Sequence, residues 1–510
     1  MTEASSLPVD GTKYSNKRML LVAGLFAVIA YFPLFLHLDS DPIHAWDEAM
    51  FAMRAYQLAN SGTFLENFGD YIAGFDNPNI KPPFGTYFQA LAFKVLGYNE
   101  LALRLPVALF CLATGIVLIW YFFRFFANPV LGFLSAMVLV CSPGYIAPHL
   151  ARTGDHEGIL IFIALAALLG FYQFTATNQT KWLYITAILF AFGFLTKNLV
   201  VFFSLPAMVL YLVYQKQLRA FIKSKAVWQG AGLFGLTLGL NYLVVWWVSP
   251  YNFRFLGFGN VQDRFVNVVQ GHAAPFMYYW TELANINFFP WVLLLPIGLI
   301  ALVVQKNSRY RNLMLLLMGS TVSHLLVISV SKTKLPWYDA SVYPWLSIIA
   351  AFGLWSIWEQ LSSRFSFSAK AQFASLCMLT VTVFSYSYTK EVTENMQHLI
   401  YSQQQKVGML LQEVRNHHAD LKTFTVIDEG STGNLVASFY ISSMNDHYGY
   451  QIDWQTDYRN IAVGDTVGFC TSAAIQWADS LYAQQTLTEK SGCKIVVLTD
   501  TLKTDHTTPH

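Results

Sequence analysis

The sequence predicts an all-α polytopic membrane domain of the multi-span type, with interfacial helices, followed by a small soluble α/β domain. Three observations lead there. Of the 510 residues, 55% are hydrophobic and only 12% charged, with a mean hydropathy of +0.40, a balance outside that of ordinary soluble chains. Apolar runs long enough to cross a bilayer recur up to residue 388. Beyond that point the composition turns mixed and polar, with no further spanning run. A formal net charge of +2 spread over many loops leaves no basic face for a duplex or an RNA strand, so nucleic acid is excluded as a partner.

Taken in order, a polar start carrying Lys13, Lys17 and Arg18 precedes an apolar run over 19–38 with no small-residue cleavage site. It reads as an uncleaved first helix with a cytoplasmic N-terminus. Further spans are expected at 101–123, 129–147, 157–175, 182–196, 198–214, 226–248, 287–304, 313–330, 336–358 and 369–388, about eleven in all. Alternating them from the cytoplasm places the basic stretches 215–225 and 305–312 inside, as the positive-inside bias requires. An odd count puts the tail outside. The expected division is therefore a transmembrane domain over 1–388, with a long first outer loop at 39–100, and a soluble outer-face α/β domain over 389–510. In the tail, 399–417 and 472–484 have helical spacing, whereas 423–427 and 494–498 resemble buried strands. Cys470 and Cys493 both fall there, in an oxidising compartment, where a disulfide and two free thiols are both open.

The first outer loop is too long for a connector, and long loops with their own patterning carry function. Residues 48–60 alternate apolar and polar side chains as an interfacial helix does, and Lys81-Pro82-Pro83 opens a second such stretch. Between the first span and these helices lies Trp46-Asp47-Glu48. Adjacent carboxylates on a helix point in different directions. Asp47 is the better candidate for a base that takes a proton from an acceptor hydroxyl, leaving Glu48 to cap the helix or contact substrate.

Two more outer-face groups bear chemistry. Arg152-Thr153-Gly154-Asp155-His156-Glu157 opens the fourth span, where its ionisable side chains would orient a sugar, hold a cation or cap the helix. Lys197 interrupts two apolar spans almost without a loop, and Lys332 and Lys334 stand at the same depth after a later span. Cations in such places call for an anion, such as a phosphate whose lipid tail lies between helices. His149, His156 and His272 share that face, and a lone histidine there is more often structural than a ligand.

Asp47-Glu48, Lys81-Pro82-Pro83, Arg104-Leu105-Pro106, the 152–157 cluster, Gly193 to Lys197, His272 with Pro275, Tyr278 and Tyr279, and Lys334-Leu335-Pro336 follow one another in this order. In that order, over roughly residues 20–360, the chain resembles the bacterial GT-C membrane glycosyltransferases, the group of aminoarabinose transferases and protein O-mannosyltransferases. The resemblance implies Asp47 as the catalytic or acceptor-orienting acid and Lys81, Lys197 and Lys334 on the phosphate of a polyprenyl-phosphate sugar donor. It implies Glu48, Arg152, Asp155, Glu157, His272 and Tyr278 as substrate contacts. Asp155, Glu157 and His272 are the candidates for holding a divalent metal ion, the one cofactor in view. The chain departs from aminoarabinose transferases at Ile80, where they carry Glu before Lys-Pro, and at Met50, where they carry Arg.

The function expected is transfer of a hexosyl or pentosyl unit from that donor to an envelope lipid, glycan or protein, with inversion, on the outer face of a bacterial inner membrane. Membrane lipids complete the list of partners. The rival is a transporter or lipid flippase, which predicts charges near mid-membrane and breaks at matching places in two repeated halves. In this chain the outer-face charges cluster at span ends instead.

Overall fold

The computed structural model describes residues 16–61, 82–248, 259–365, 368–394, 403–427, 434–457 and 460–502. Among these, six helices are long and apolar enough to cross a membrane, or seven if the pair Tyr278–Asn287 and Trp291–Val304, bent by 104°, is one span. Length and apolarity thus pick out, among the described residues, six or seven of the about eleven spans expected. The expected spans at 129–147 and 287–304 are built from shorter or broken pieces: Pro129–Val140 is a short apolar helix, and the second carries the bend.

Helix α1 (Asn16–Phe35) leads to α2 (Asp47–Ser61) and α3 (Phe84–Leu96), the two expected helices of the first loop. The long α4 (Glu100–Phe126) starts where the Asn99 side chain accepts the Ala102 N–H at 2.9 Å and ends at Ala127 in the left-handed conformation. Asn128 caps α5 (Pro129–Val140) in the same way, with Pro129 at a position that needs no N–H. After the short turn α6 (Pro143–Ile146) come α7 (Glu157–Thr177) and α8 (Thr180–Lys197), then a 3-10 stretch Asn198–Ser204 and α9 (Leu205–Tyr214).

The levels of these helices are fixed at both ends. Lys197 pairs with Glu157 at the start of α7, and Gln217 donates to the Thr175 carbonyl near its end. The chain thus climbs beside α7 along α8 and comes back down over 198–214, so the short polar break at Lys197 is a reversal, as the sequence suggests. Helix α7 and the stretch Pro336–Arg364 are almost entirely enclosed by other helices. They form the centre of an apolar core that includes Phe122, Leu134, Leu165, Leu317 and Phe352.

The tail folds as a five-stranded sheet of order β2-β1-β3-β5-β4: β1 Thr423–Ile427, β2 Gln451–Gln455, β3 Thr466–Phe469, β4 Tyr482–Lys490 and β5 Cys493–Thr501. The first three are parallel, and β4 and β5 add antiparallel. A disulfide joins Cys470 to Cys493. The helix expected over 472–484 ends at Leu481, where β4 begins. The helix Ala369–Glu394 runs through the expected domain boundary at 388. The tail is not a detached unit: Val407, Leu410, Val436, Phe439 and Tyr440 share one buried cluster with Ala52, Tyr56, Phe93 and Leu103 of α2, α3 and α4.

Candidate active site

Glu48 is fully buried one residue into α2. Its carboxylate accepts from Arg104 Nε at 2.7 Å and Nη2 at 3.1 Å, and from the backbone N–H groups of His44 and Gly154, both at 2.7 Å. Arg104 spends its remaining donors on the carbonyls of Leu38, Asp41 and Pro42. Burial works against ionisation of Glu48, but the Arg104 guanidinium and the donated hydrogen bonds outweigh it and hold the carboxyl at about 2. This is a permanently charged clamp joining the first loop, α4 and the 152–157 loop. Arg152 has a similar use. Its guanidinium donates to the Pro33, Leu36 and His37 carbonyls at the end of α1. The sequence singled out neither partnership: Glu48 was expected to cap the helix or contact substrate, and Arg152 to contact substrate.

Asp47, by contrast, is half-buried at the first turn of α2, behind an exposed Trp46 whose φ is +71°. It lies close enough to His149 for its charge to act on that ring, as do Asp155 and Lys197. His149 is the meeting point. Its Nδ1 is 3.3 Å from Asp155 Oδ2, which also accepts the Thr153 hydroxyl at 2.7 Å, and its ring stacks on Trp337 with centroids 3.7 Å apart. Burial disfavours the charged imidazole, but Asp155 outweighs it and Asp47 adds to it, so the ring is held above its ordinary value. His149 and Trp337 are the site residues that spacing alone did not single out. The signal was there in a histidine six residues before Asp155 on one outer loop.

Lys197 ends α8 and forms its ion pair with Glu157, the first residue of α7. Lys334 is buried, its ammonium donating to the Ser331 carbonyl at 2.5 Å. Burial lowers its pKa, and Lys332 beside it adds to the effect. The strand-like piece around it is stitched to the 264–273 segment: Thr333 N–H donates to Arg264, and Lys334 N–H to His272 at 2.9 Å. The His272 ring itself is exposed. Tyr278 is half-buried and edge-on to Tyr279, whose hydroxyl donates to the Leu335 carbonyl. Lys81 lies outside the described residues.

The proposed metal set does not come together. Among the described residues no three His, Cys, Asp or Glu side chains gather as metal ligands. Asp155 is engaged by His149 and Thr153, Glu157 by Lys197, and His272 sits on the separate 264–273 segment.

An apolar cavity of about 650 Å³ runs between α8, α9 and the helix Lys225–Val248, lined by Phe190, Phe194, Phe202, Phe234, Leu238 and Tyr242 among others.

Residues 80–247 match the family of dolichyl-phosphate-mannose-protein mannosyltransferases. Over 63% of the chain, the sequence is 26% identical to an undecaprenyl phosphate-alpha-4-amino-4-deoxy-L-arabinose arabinosyl transferase of Pseudomonas fluorescens. The chain spans 56% of that relative's length, and 63% of the length of an Aquifex aeolicus protein 24% identical to it. The structure superposes on ArnT from Cupriavidus metallidurans bound to undecaprenyl phosphate with a TM-score of 0.65 at 14% identity, covering 95% of this chain and 98% of that one. The oligosaccharyltransferase AglB of Archaeoglobus fulgidus, in complex with an inhibitory peptide and a dolichol-phosphate, follows at 0.56 and 12% identity, covering 98% and 75%. The chain therefore has the GT-C fold that ArnT has.

Proposed function

We propose that this protein is a membrane glycosyltransferase that moves a sugar from a polyprenyl-phosphate donor to an envelope lipid, glycan or protein on the outer face of the inner membrane. The observation that carries it is that a half-buried carboxylate, Asp47, and the ammonium of Lys197 both lie within electrostatic reach of one ring, His149, while Phe194 and Leu199 on either side of Lys197 in the chain line an apolar cavity. The lipid tail of the donor occupies that cavity, and its phosphate lies toward Lys197 and Lys334 with Lys81 completing the cation set. As the bond between the anomeric carbon and the phosphate oxygen breaks, its electron pair passes to the phosphate, and the lysines meet that charge where it develops. The acceptor hydroxyl attacks the anomeric carbon from the opposite side and gives its proton to Asp47, so the anomeric centre inverts. His149, held by Asp155 and Trp337, keeps Asp47 in place. Asp47→Asn retains the shape and loses the base. The protein should insert and bind undecaprenyl phosphate as before while turnover falls by about 100-fold or more. Wild-type turnover in that variant, measured on purified protein with extracted lipid-linked sugars, would remove Asp47 from the reaction.

A further inference from the structure

Lys197 is already paired before any donor arrives. Glu157 opens α7 and is 3% exposed, whereas Lys197 closes α8 at 22%. A carboxylate at a helix N-terminus and an ammonium at a helix C-terminus are each favoured by the helix they belong to, so both stay charged. The donor phosphate must therefore take Lys197 from a carboxylate that cannot move far away. We propose that Glu157 is a built-in competitor for phosphate at Lys197, setting the preference of the site for a singly charged phosphodiester over a phosphate monoester. The inference rests on the function proposed above.

Its chemical basis is the change of charge during turnover. The sugar-bearing donor is a phosphodiester with one negative charge, whereas the polyprenyl phosphate left behind is a monoester carrying about −1.5 to −2 near neutral pH. A site made of lysines alone holds the product more tightly than the substrate. A fixed carboxylate beside the phosphate penalises each added negative charge, and so falls hardest on the product. When the product leaves, Lys197 returns to Glu157 and no half-buried ammonium is stranded at the membrane surface. Glu157 is thus a residue for discrimination and release, acting through Lys197.

Two defined probes differing by one charge test this on the full-length protein in lipid nanodiscs: undecaprenyl phosphate and its methyl phosphodiester. Glu157→Gln is expected to tighten undecaprenyl phosphate by about tenfold and the diester distinctly less. In turnover assays the same variant should show a lower KM together with a lower kcat, from retained product. On a Lys197→Ala background the Glu157 substitution should tighten both probes less than it does in the wild-type protein, because only the direct repulsion and no longer the competition for Lys197 is removed. If Glu157→Gln does not insert, Glu157→Asp, whose shorter side chain reaches Lys197 less well, should shift the ratio in the same direction. Equal tightening of both probes, or no tightening while Lys197→Ala still weakens both, overturns the competitor role and leaves the proposed function intact. Unchanged affinity in Lys197→Ala itself overturns the placement of phosphate at Lys197, and this inference with it.

Discussion

Two neighbouring acids in one motif have opposite fates, decided by what each side chain reaches. Asp47 stays near the surface of the site, whereas Glu48 turns inward onto Arg104 and two backbone N–H groups. Replacing Glu48 by Gln leaves Arg104 buried without its counter-charge, a severe mechanism of destabilisation. The pH dependence has a definite sign. The folded carboxyl sits at about 2, below its ordinary 4.5, so its contribution is complete above about pH 4.5 and is lost as pH falls toward 2. From that difference the clamp supplies about 3 kcal/mol at neutral pH. Glu48→Gln should therefore unfold at clearly lower temperature than wild type at pH 7, with the gap closing toward pH 2. Equal melting temperatures at pH 7 would show that the clamp contributes nothing.

At the scale of elements, the site depends on close approach between helices of the first loop and the 152–157 loop. A Cβ on Gly85 of α3 would lie 2.5 Å from the His156 ring, which stacks on Phe51 of α2 at 3.8 Å and meets Gln89 at 3.1 Å. Gly85→Ala should cost about 1–3 kcal/mol by overpacking, seen as a lower melting temperature. Gly232→Ala, with nothing within 4 Å of the added carbon, should not lower it. Both first-loop helices were legible in the sequence, over 48–60 and from Pro82-Pro83, because an amphipathic period and a Pro pair mark them; they span Asp47–Ser61 and Phe84–Leu96. Strand β1 matched at both ends for the same kind of reason, a short apolar run between polar breaks. The helix Leu435–Tyr448 was missed, because it packs against both α2 and the sheet and so shows no single apolar stripe. Glu48 and Arg152 were misread because their partners are an arginine 56 residues away and backbone carbonyls, which no side-chain pattern records.

For the molecule as a whole, orientation decides which face of the membrane carries the site. With the N-terminus in the cytoplasm, the exposed Ser480 in the tail lies outside and the exposed Lys306 inside. On a background without Cys111, Cys141 and Cys377, Ser480→Cys should react with an impermeant maleimide in intact cells, and Lys306→Cys only after lysis. The reverse result would place the tail in the cytoplasm, and with it the first-loop helices it packs on and the candidate site.

The tail also sets a timetable. Its Tyr440 hydroxyl donates to Glu100 at 2.5 Å and accepts the Ile43 N–H, Arg415 completes the Glu100 pair at 2.6 Å, and Ile43 and Tyr440 are 397 residues apart. At a synthesis rate of roughly 5–20 residues per second, the ribosome needs roughly 20–80 s to travel from one to the other. Throughout that interval the loop carrying Asp47 lacks the surface it packs on, so a nascent chain stalled before residue 440 has no finished candidate site.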